Sequence, residues 1–168
     1  CLTLNPSFAL AWDNLAKLYR VQNKLSKSIP AFENLIKLDS NNFEALVSLG
    51  TVYVKLSKYE DGIKLYKKAL LINPENPRVY LSMGHALKTV GKREECENAY
   101  KNAIKYFPLS GEAYWSLANL KTYKFNKSEI SDMESAIAKK IHPNELIQMY
   151  FALGKAYESN KDFDKFEE

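Results

Sequence analysis

Few side chains in this sequence could carry covalent chemistry, and they are scattered. Two histidines, His85 and His142, and two cysteines, Cys1 and Cys96, are the natural candidates for proton transfer, nucleophilic attack or metal ligation. No His, Cys, Asp or Glu cluster has the spacing of a metal site. His142 precedes Pro143 and reads as a turn or cap residue. The acidic pairs Glu94-Glu95 and Glu167-Glu168 read as exposed helix faces, not as opposed carboxylates. Neither G-x4-G-K-[ST] nor G-x-G-x-x-G occurs, so no phosphate-cradling loop is indicated. The two cysteines lie far apart and read as free thiols of a reducing cytoplasm. No catalytic residue, metal ligand or cofactor is therefore expected. What remains is the chemistry of noncovalent grip: lysines and arginines for anions, aromatic faces for apolar and cationic groups.

The elements that must position such residues belong to an ordinary folded chain. Hydrophobic residues make up 46% and charged residues 26% of 168 residues, enough apolar surface for a core. The apolar runs are too short for a membrane-spanning helix, which needs about 18 residues, and no membrane partner is expected. The net charge of +4 is spread thinly. Its mild excess lies in residues 77–110, through Arg78, Lys88, Lys92, Arg93, Lys101 and Lys105. A nucleic-acid binder gathers basic residues on one face with aromatics between them. This distribution does not, so no nucleic-acid partner is expected.

A repeat organises the chain. One period of about 34 residues separates Pro74 from Pro108, and two such periods separate Pro6 from Pro74. On that period an aromatic-x2-Leu-Gly-x2-Tyr pattern falls into register. It reads Trp12, Leu15, Ala16, Tyr19; then Leu46, Leu49, Gly50, Tyr53; then Tyr80, Met83, Gly84, Leu87. Tyr114, Leu117, Ala118 follow, with Lys121 in place of the last aromatic, and then Tyr150, Leu153, Gly154, Tyr157. A second pattern, small-x3-aromatic, reads Ser28/Phe32, Gly62/Tyr66 and Cys96/Tyr100. The small residues let two antiparallel helices approach, and the large ones fill the grooves between them. Asn23, Ser57 and Gly91 fall at the corner between the helices, where a positive φ is expected.

Period and pattern together resemble the tetratricopeptide repeat (TPR) family. The resemblance implies an all-α fold, a right-handed α-α superhelix of about four to five helix-turn-helix repeats. As one array over 1–168, the repeats span 9–42, 43–76, 77–110, an irregular 111–146 and a partial 147–168, with 1–8 as the tail of a preceding repeat. Because both ends fall inside repeats and no initiator Met is present, the chain is expected to be a piece of something longer. In the fourth repeat Lys121, Ile130 and Glu134 depart from the pattern. Its second helix is expected over about 128–140, tilted or shifted, with a change of solenoid direction there.

The resemblance also implies a binding surface, a concave groove lined by the first helix of each repeat. Positions facing it include Asp13, Lys17, Arg20, Thr51, Lys55, Arg78, Leu81, His85, Lys88, Trp115, Asn119, Thr122, Tyr123, Phe151 and Lys155. The candidate peptide-binding residues are Lys17, Arg20, Thr51, Lys55, Arg78, His85, Lys88, Trp115, Asn119 and Tyr123. They make a basic groove in the first three repeats and an aromatic one in the fourth. The expected partner is a protein or peptide, acidic or presented by its C-terminus, with an apolar anchor near Trp115. Self-association is the other expectation. The carboxylate clamp of chaperone adaptors does not fit: of Asp13, Lys17, Ser48, Arg78 and Ser82, only Arg78 matches.

A narrower likeness covers residues 111–168. The run Glu112 to Phe125, containing Trp115-Ser116-Leu117-Ala118-Asn119-Leu120-Lys121-Thr122-Tyr123, departs from the repeat consensus. So does Tyr150-Phe151-Ala152-Leu153-Gly154-Lys155-Ala156-Tyr157-Glu158. Together they resemble the repeat region of bacterial TPR–sulfotransferase fusion proteins. That resemblance implies a scaffold preceding a domain that transfers sulfate from phosphoadenosine phosphosulfate. The family's phosphate-binding loop is absent, so no catalytic residue is carried over. The alternative is a stand-alone TPR adaptor.

Overall fold

A computed structural model describes residues 8–120, 123–139 and 141–160. Among them the chain forms nine α-helices and no strand. These are α1 (Ala9–Val21), α2 (Leu25–Leu38), α3 (Phe43–Lys55), α4 (Tyr59–Ile72), α5 (Pro77–Thr89), α6 (Arg93–Tyr106), α7 (Gly111–Ala118), α8 (Lys127–Ile137) and α9 (Pro143–Asn160). They divide between Arg93 and Glu94 into two compact units, with α1–α5 in the first and nearly all of α6 with α7–α9 in the second. Cys1, residues 1–7 of the expected 1–8 tail, Lys121, Thr122 and the Glu167-Glu168 pair lie outside the described residues.

In the first unit α1 packs on α2 and α3 on α4, while α2 meets α3 and α4 meets α5. Local chemistry sets where these helices start. Asn42 and Asn76, one repeat apart, accept hydrogen bonds from Ala45 N (2.9 Å) and Val79 N (3.1 Å) at the starts of α3 and α5. Each satisfies an amide that a helix N-terminus leaves without an internal partner. The corners are fixed as their residue types suggest. Asn23, Ser57 and Gly91 have φ of 55°, 61° and 76°. The next amide then reaches back to the preceding helix: Lys24 N to Tyr19 O (2.8 Å), Lys58 N to Tyr53 O (2.8 Å) and Lys92 N to Leu87 O (3.0 Å). This left-handed turn closes the last carbonyls of the first helix. Part of the core gathers Ala16, Ala31, Phe32, Leu35, Ala45, Leu49 and Val52, with Trp12 and Tyr53 packed on it half-buried.

The second unit repeats some of this and breaks the rest. Ser110, one repeat after Asn76, accepts from Ala113 N (3.3 Å) and starts α7. That helix is only 8 residues long, with Asn119 as its C-cap. Beyond it Phe125 turns into the core (3% exposed), its ring 6.4 Å from that of Tyr114. A helix continuing past Ala118 would carry position 125 onward along its axis, so burying Phe125 there is incompatible with a full-length first helix. Asn126 and Glu129 form a reciprocal capping box at the start of α8. α8 spans Lys127–Ile137, against the expected 128–140. α9 packs on both α7 and α8. Its contact with α7 depends on Gly111, where a Cβ would stand 2.0 Å from the Glu145 carbonyl oxygen. The Glu145 side chain also accepts from Glu112 N (3.3 Å) in the first turn of α7.

Candidate functional site

Each unit carries a cluster of the residues that the sequence singles out. In the first, Lys17 and Arg20 project from α1 and Thr51 and Lys55 from α3. With Val21, Leu25 and Val52 they line a cavity of about 270 Å³. Helical spacing sets this up, since residues three and four apart share a face. Arg20 Nη1 donates to Ser48 Oγ on α3 at 3.0 Å. Lys17 Nζ lies 2.5 Å from Asp13 Oδ2, with the lysine side chain 63% exposed. Thr51 Oγ1 donates to Val47 O (2.9 Å) and lies 3.1 Å from the Tyr66 hydroxyl. Burial pushes that phenol above its ordinary range, while hydrogen bonds with Thr51 and Ser82 oppose the rise. Arg78, His85 and Lys88 stand exposed along α5, and none of them lines the cavity.

In the second unit Trp115 and Asn119 meet two residues of α9. The Trp115 and Phe151 rings lie 5.4 Å apart at 45°. Lys155 Nζ sits 4.7 Å from the centre of the Trp115 ring and donates to Asn119 Oδ1. Asn119 Nδ2 in turn donates to Trp115 O at 3.0 Å. Phe151 remains 59% exposed, so the pair forms a surface rather than a core. The lysine is held by a cation–π contact and a hydrogen bond together.

Tyr123 is not where the repeat phase places it. The phase puts it on the last turn of the fourth repeat's first helix; α7 ends at Ala118 and Tyr123 lies in the non-helical segment beyond. There it stacks edge-on against Phe125 (5.0 Å, 86°), with Lys101 Nζ 4.7 Å from its ring centre. Its hydroxyl donates to Glu129. Burial first, then the hydrogen bond and charge of Glu129, raises its pKa. It still joins the cluster by this other route, lining with Ala118, Phe125, Lys155, Glu158 and Ser159 a cavity of about 400 Å³. Ser48, Phe125 and Ser159 are contributors that the groove positions leave out. Ser48 had a signal in the sequence, its place in the once-per-repeat ladder Ser48, Ser82, Ser116, and Phe125 closes the off-consensus run that begins at Glu112.

Both clusters set cations beside apolar surface and can hold an anion or an apolar side chain. Among the described residues no three His, Cys, Asp or Glu side chains could share a metal ion. No helix there is long and apolar enough to cross a membrane.

The chain is similar in fold to several solved structures. The crystal structure of the MamA protein matches with a TM-score of 0.74 at 23% identity, covering 94% of this chain and 85% of that one. YrrB, described as a TPR protein with an unusual peptide-binding site, matches with a TM-score of 0.71 at 19% identity, covering 96% and 82%. MamA 41-end from Desulfovibrio magneticus RS-1 gives 0.69 at 15% identity, covering 94% and 88%. A comparison with curated proteins finds no match. The family model described as tetratricopeptide repeat matches residues 9–42, 77–108 and 147–168, and a second, described as TPR repeat, matches 50–91. With paired helices, left-handed corners and small residues at their crossings, the chain belongs to the tetratricopeptide-repeat family.

Proposed function

We propose that this chain is a non-catalytic interaction scaffold that holds a protein or peptide segment on the exposed faces of its first helices. The observation that carries the reading is the Trp115–Phe151 pair with Lys155 set over the tryptophan. Tryptophan is among the residue types that dominate binding energy at protein interfaces, and aromatic side chains including phenylalanine are enriched there. The cations at Lys17, Arg20 and Lys55 favour an acidic segment. The peptide-binding site ascribed to YrrB supports the same use of a similar fold. Arg78, His85 and Lys88 extend the proposed surface along α5.

The resemblance of 111–168 to TPR–sulfotransferase fusions supports a finer reading, in which the scaffold is the arm of a sulfate-transferring enzyme rather than a stand-alone adaptor. Sequencing the intact natural polypeptide separates the two. The scaffold reading itself is tested by affinity capture, followed by calorimetry with the purified partner. Trp115→Ala, and Lys17, Arg20, Lys55 and Lys88 changed together to Glu, should each weaken binding at least about tenfold with helicity unchanged. Full affinity in both variants would move the site elsewhere.

A further inference from the structure

Helix α3 sends Thr51 and Lys55 to the basic cavity, and Leu49 and Tyr53 to a second, larger one of about 830 Å³. Ile36 of α2 and Leu65 of α4, half-buried against the core, complete the apolar floor of this second groove. Four exposed lysines ring it, Lys37 from α2 and Lys64, Lys67 and Lys68 from α4. Its two carboxylates already have partners: Glu33 accepts from the Tyr53 hydroxyl at 3.2 Å, and Asp61 Oδ1 lies 3.3 Å from Lys64 Nζ. One repeat on, Asn98 and Asn102 stand at the positions of Lys64 and Lys68, and Leu87 at that of Tyr53. The repeat itself therefore does not demand this combination. Nor does it demand Leu71, which continues the Lys64, Lys67, Lys68 face of α4 and is 85% exposed. The neighbouring repeats carry lysine there, Lys37 and Lys105.

We propose that this groove docks the apolar stripe of an amphipathic α-helix from a partner protein, with acidic residues on the helix flanks meeting the lysines. It is a second surface, on α2 and α4, beyond the first-helix faces and independent of them. Charge selects the flanks: four cations against two carboxylates leave the rim positive. The floor selects a helix. The flanking helices pair their own amides internally, and the Tyr53 hydroxyl is already donated. An extended strand laid on this floor would lose water from its backbone and gain no partners. A helix keeps its backbone paired and lays down only side chains. From Lys64 to Leu71 the wall runs about 10 Å, two helical turns, which matches an apolar stripe at i, i+3, i+4 and i+7.

The test titrates the full chain with a helix-forming peptide, blocked at both ends, that carries leucine at i, i+3, i+4 and i+7 and glutamate beside them. Two control peptides change only the leucines to alanine, or only the glutamates to lysine. NMR follows the methyl groups of Ile36, Leu65 and Leu71, with the Thr51 amide reporting on the basic cavity. Shifts at the three methyl positions, at least about tenfold tighter than with either control, support the proposal. Equal binding of the alanine control would leave only charge attraction, and equal binding of the lysine control only apolar contact; either overturns it. So do sodium dodecanoate binding as tightly as the peptide, which makes the groove a small-molecule pocket, and phosphatidylglycerol vesicles shifting the methyl signals where the peptide does not. Lys37→Glu with Lys68→Glu, one exposed site on each wall, should weaken the glutamate peptide at least about tenfold and tighten the lysine one. Leu71→Ala, at a site too exposed to support the fold, should weaken the glutamate peptide about threefold. Unchanged affinities in both variants overturn the proposal. Peptide shifts at Thr51 with the three methyl groups silent sink the groove and leave the scaffold reading standing.

Discussion

A methyl group on residue 50 would stand 2.9 Å from Tyr66 Cε1 and 3.3 Å from the Gly62 carbonyl oxygen. That closeness is why the pattern asks for a small residue here. A tyrosine free to swing could give way by a few tenths of an ångström. Tyr66 is not free, because its hydroxyl is tied to Thr51 and Ser82. Ala16, at the same repeat position, is fully buried near Phe32, which has no such tether. Gly50→Ala is therefore expected to cost about 1–3 kcal/mol by overpacking, and less when Tyr66→Phe is already present. Denaturant melts of the two single variants and the double variant measure the coupling. A cycle with no coupling would show that the tether does not hold the ring. The small residue was legible in the sequence. The tether was not, since it joins residues from three helices whose facing side chains no linear period reveals.

At the scale of elements the corners were legible for a local reason: a positive φ selects among few residue types, and Asn23, Ser57 and Gly91 recur on period. The end of α7 was not, because it depends on where Phe125 finds space in the core, well beyond Ala118 in the chain. That tertiary demand moved Tyr123 off the helix while leaving it near Lys155. The α7–α9 contact was also hidden. Gly111 reads as an ordinary residue after a serine cap, yet its missing side chain admits the Glu145 backbone. Here the obstacle to a larger residue is a carbonyl at 2.0 Å rather than a movable ring. Gly111→Ala should therefore destabilise more than Gly50→Ala, at or above the upper end of the roughly 1–3 kcal/mol range. Its effect should concentrate in the second unit. Hydrogen exchange checks this: amides of α7 and α9 should lose protection while those of α1–α4 keep theirs. Equal loss in both units would contradict a local contact.

Over the whole molecule the eleven tyrosines do more than fill grooves. Tyr53 and Tyr66 in the first unit, and Tyr100, Tyr114 and Tyr123 in the second, all hold their phenol protons more tightly than the ordinary value of 10.0, burial being the largest cause in each. Tyr114 is pushed up to about 12, helped by the charges of Asp132 and Glu129. A raised folded-state pKa means that above pH 10 the unfolded chain gives up protons that the folded chain keeps. Stability from these groups is thus fully present below pH 10 and is lost as pH rises toward 12 and beyond. The urea midpoint should stay level from neutrality to about pH 9.5 and then fall. Each pH unit in the window removes up to about 1.4 kcal/mol for each of the buried phenols Tyr66, Tyr100 and Tyr114 held protonated, and less for the half-buried Tyr53 and Tyr123, which solvent screens. Tyr114→Phe removes one such group, so its midpoint should fall less steeply between pH 10 and 12, whatever the substitution does at neutrality. Phenolate absorbance followed alongside circular dichroism supplies the decisive comparison. Ionisation of the buried tyrosines should coincide with loss of helicity; ionisation complete while the helices persist would mean that these phenols are hydrated in the folded state.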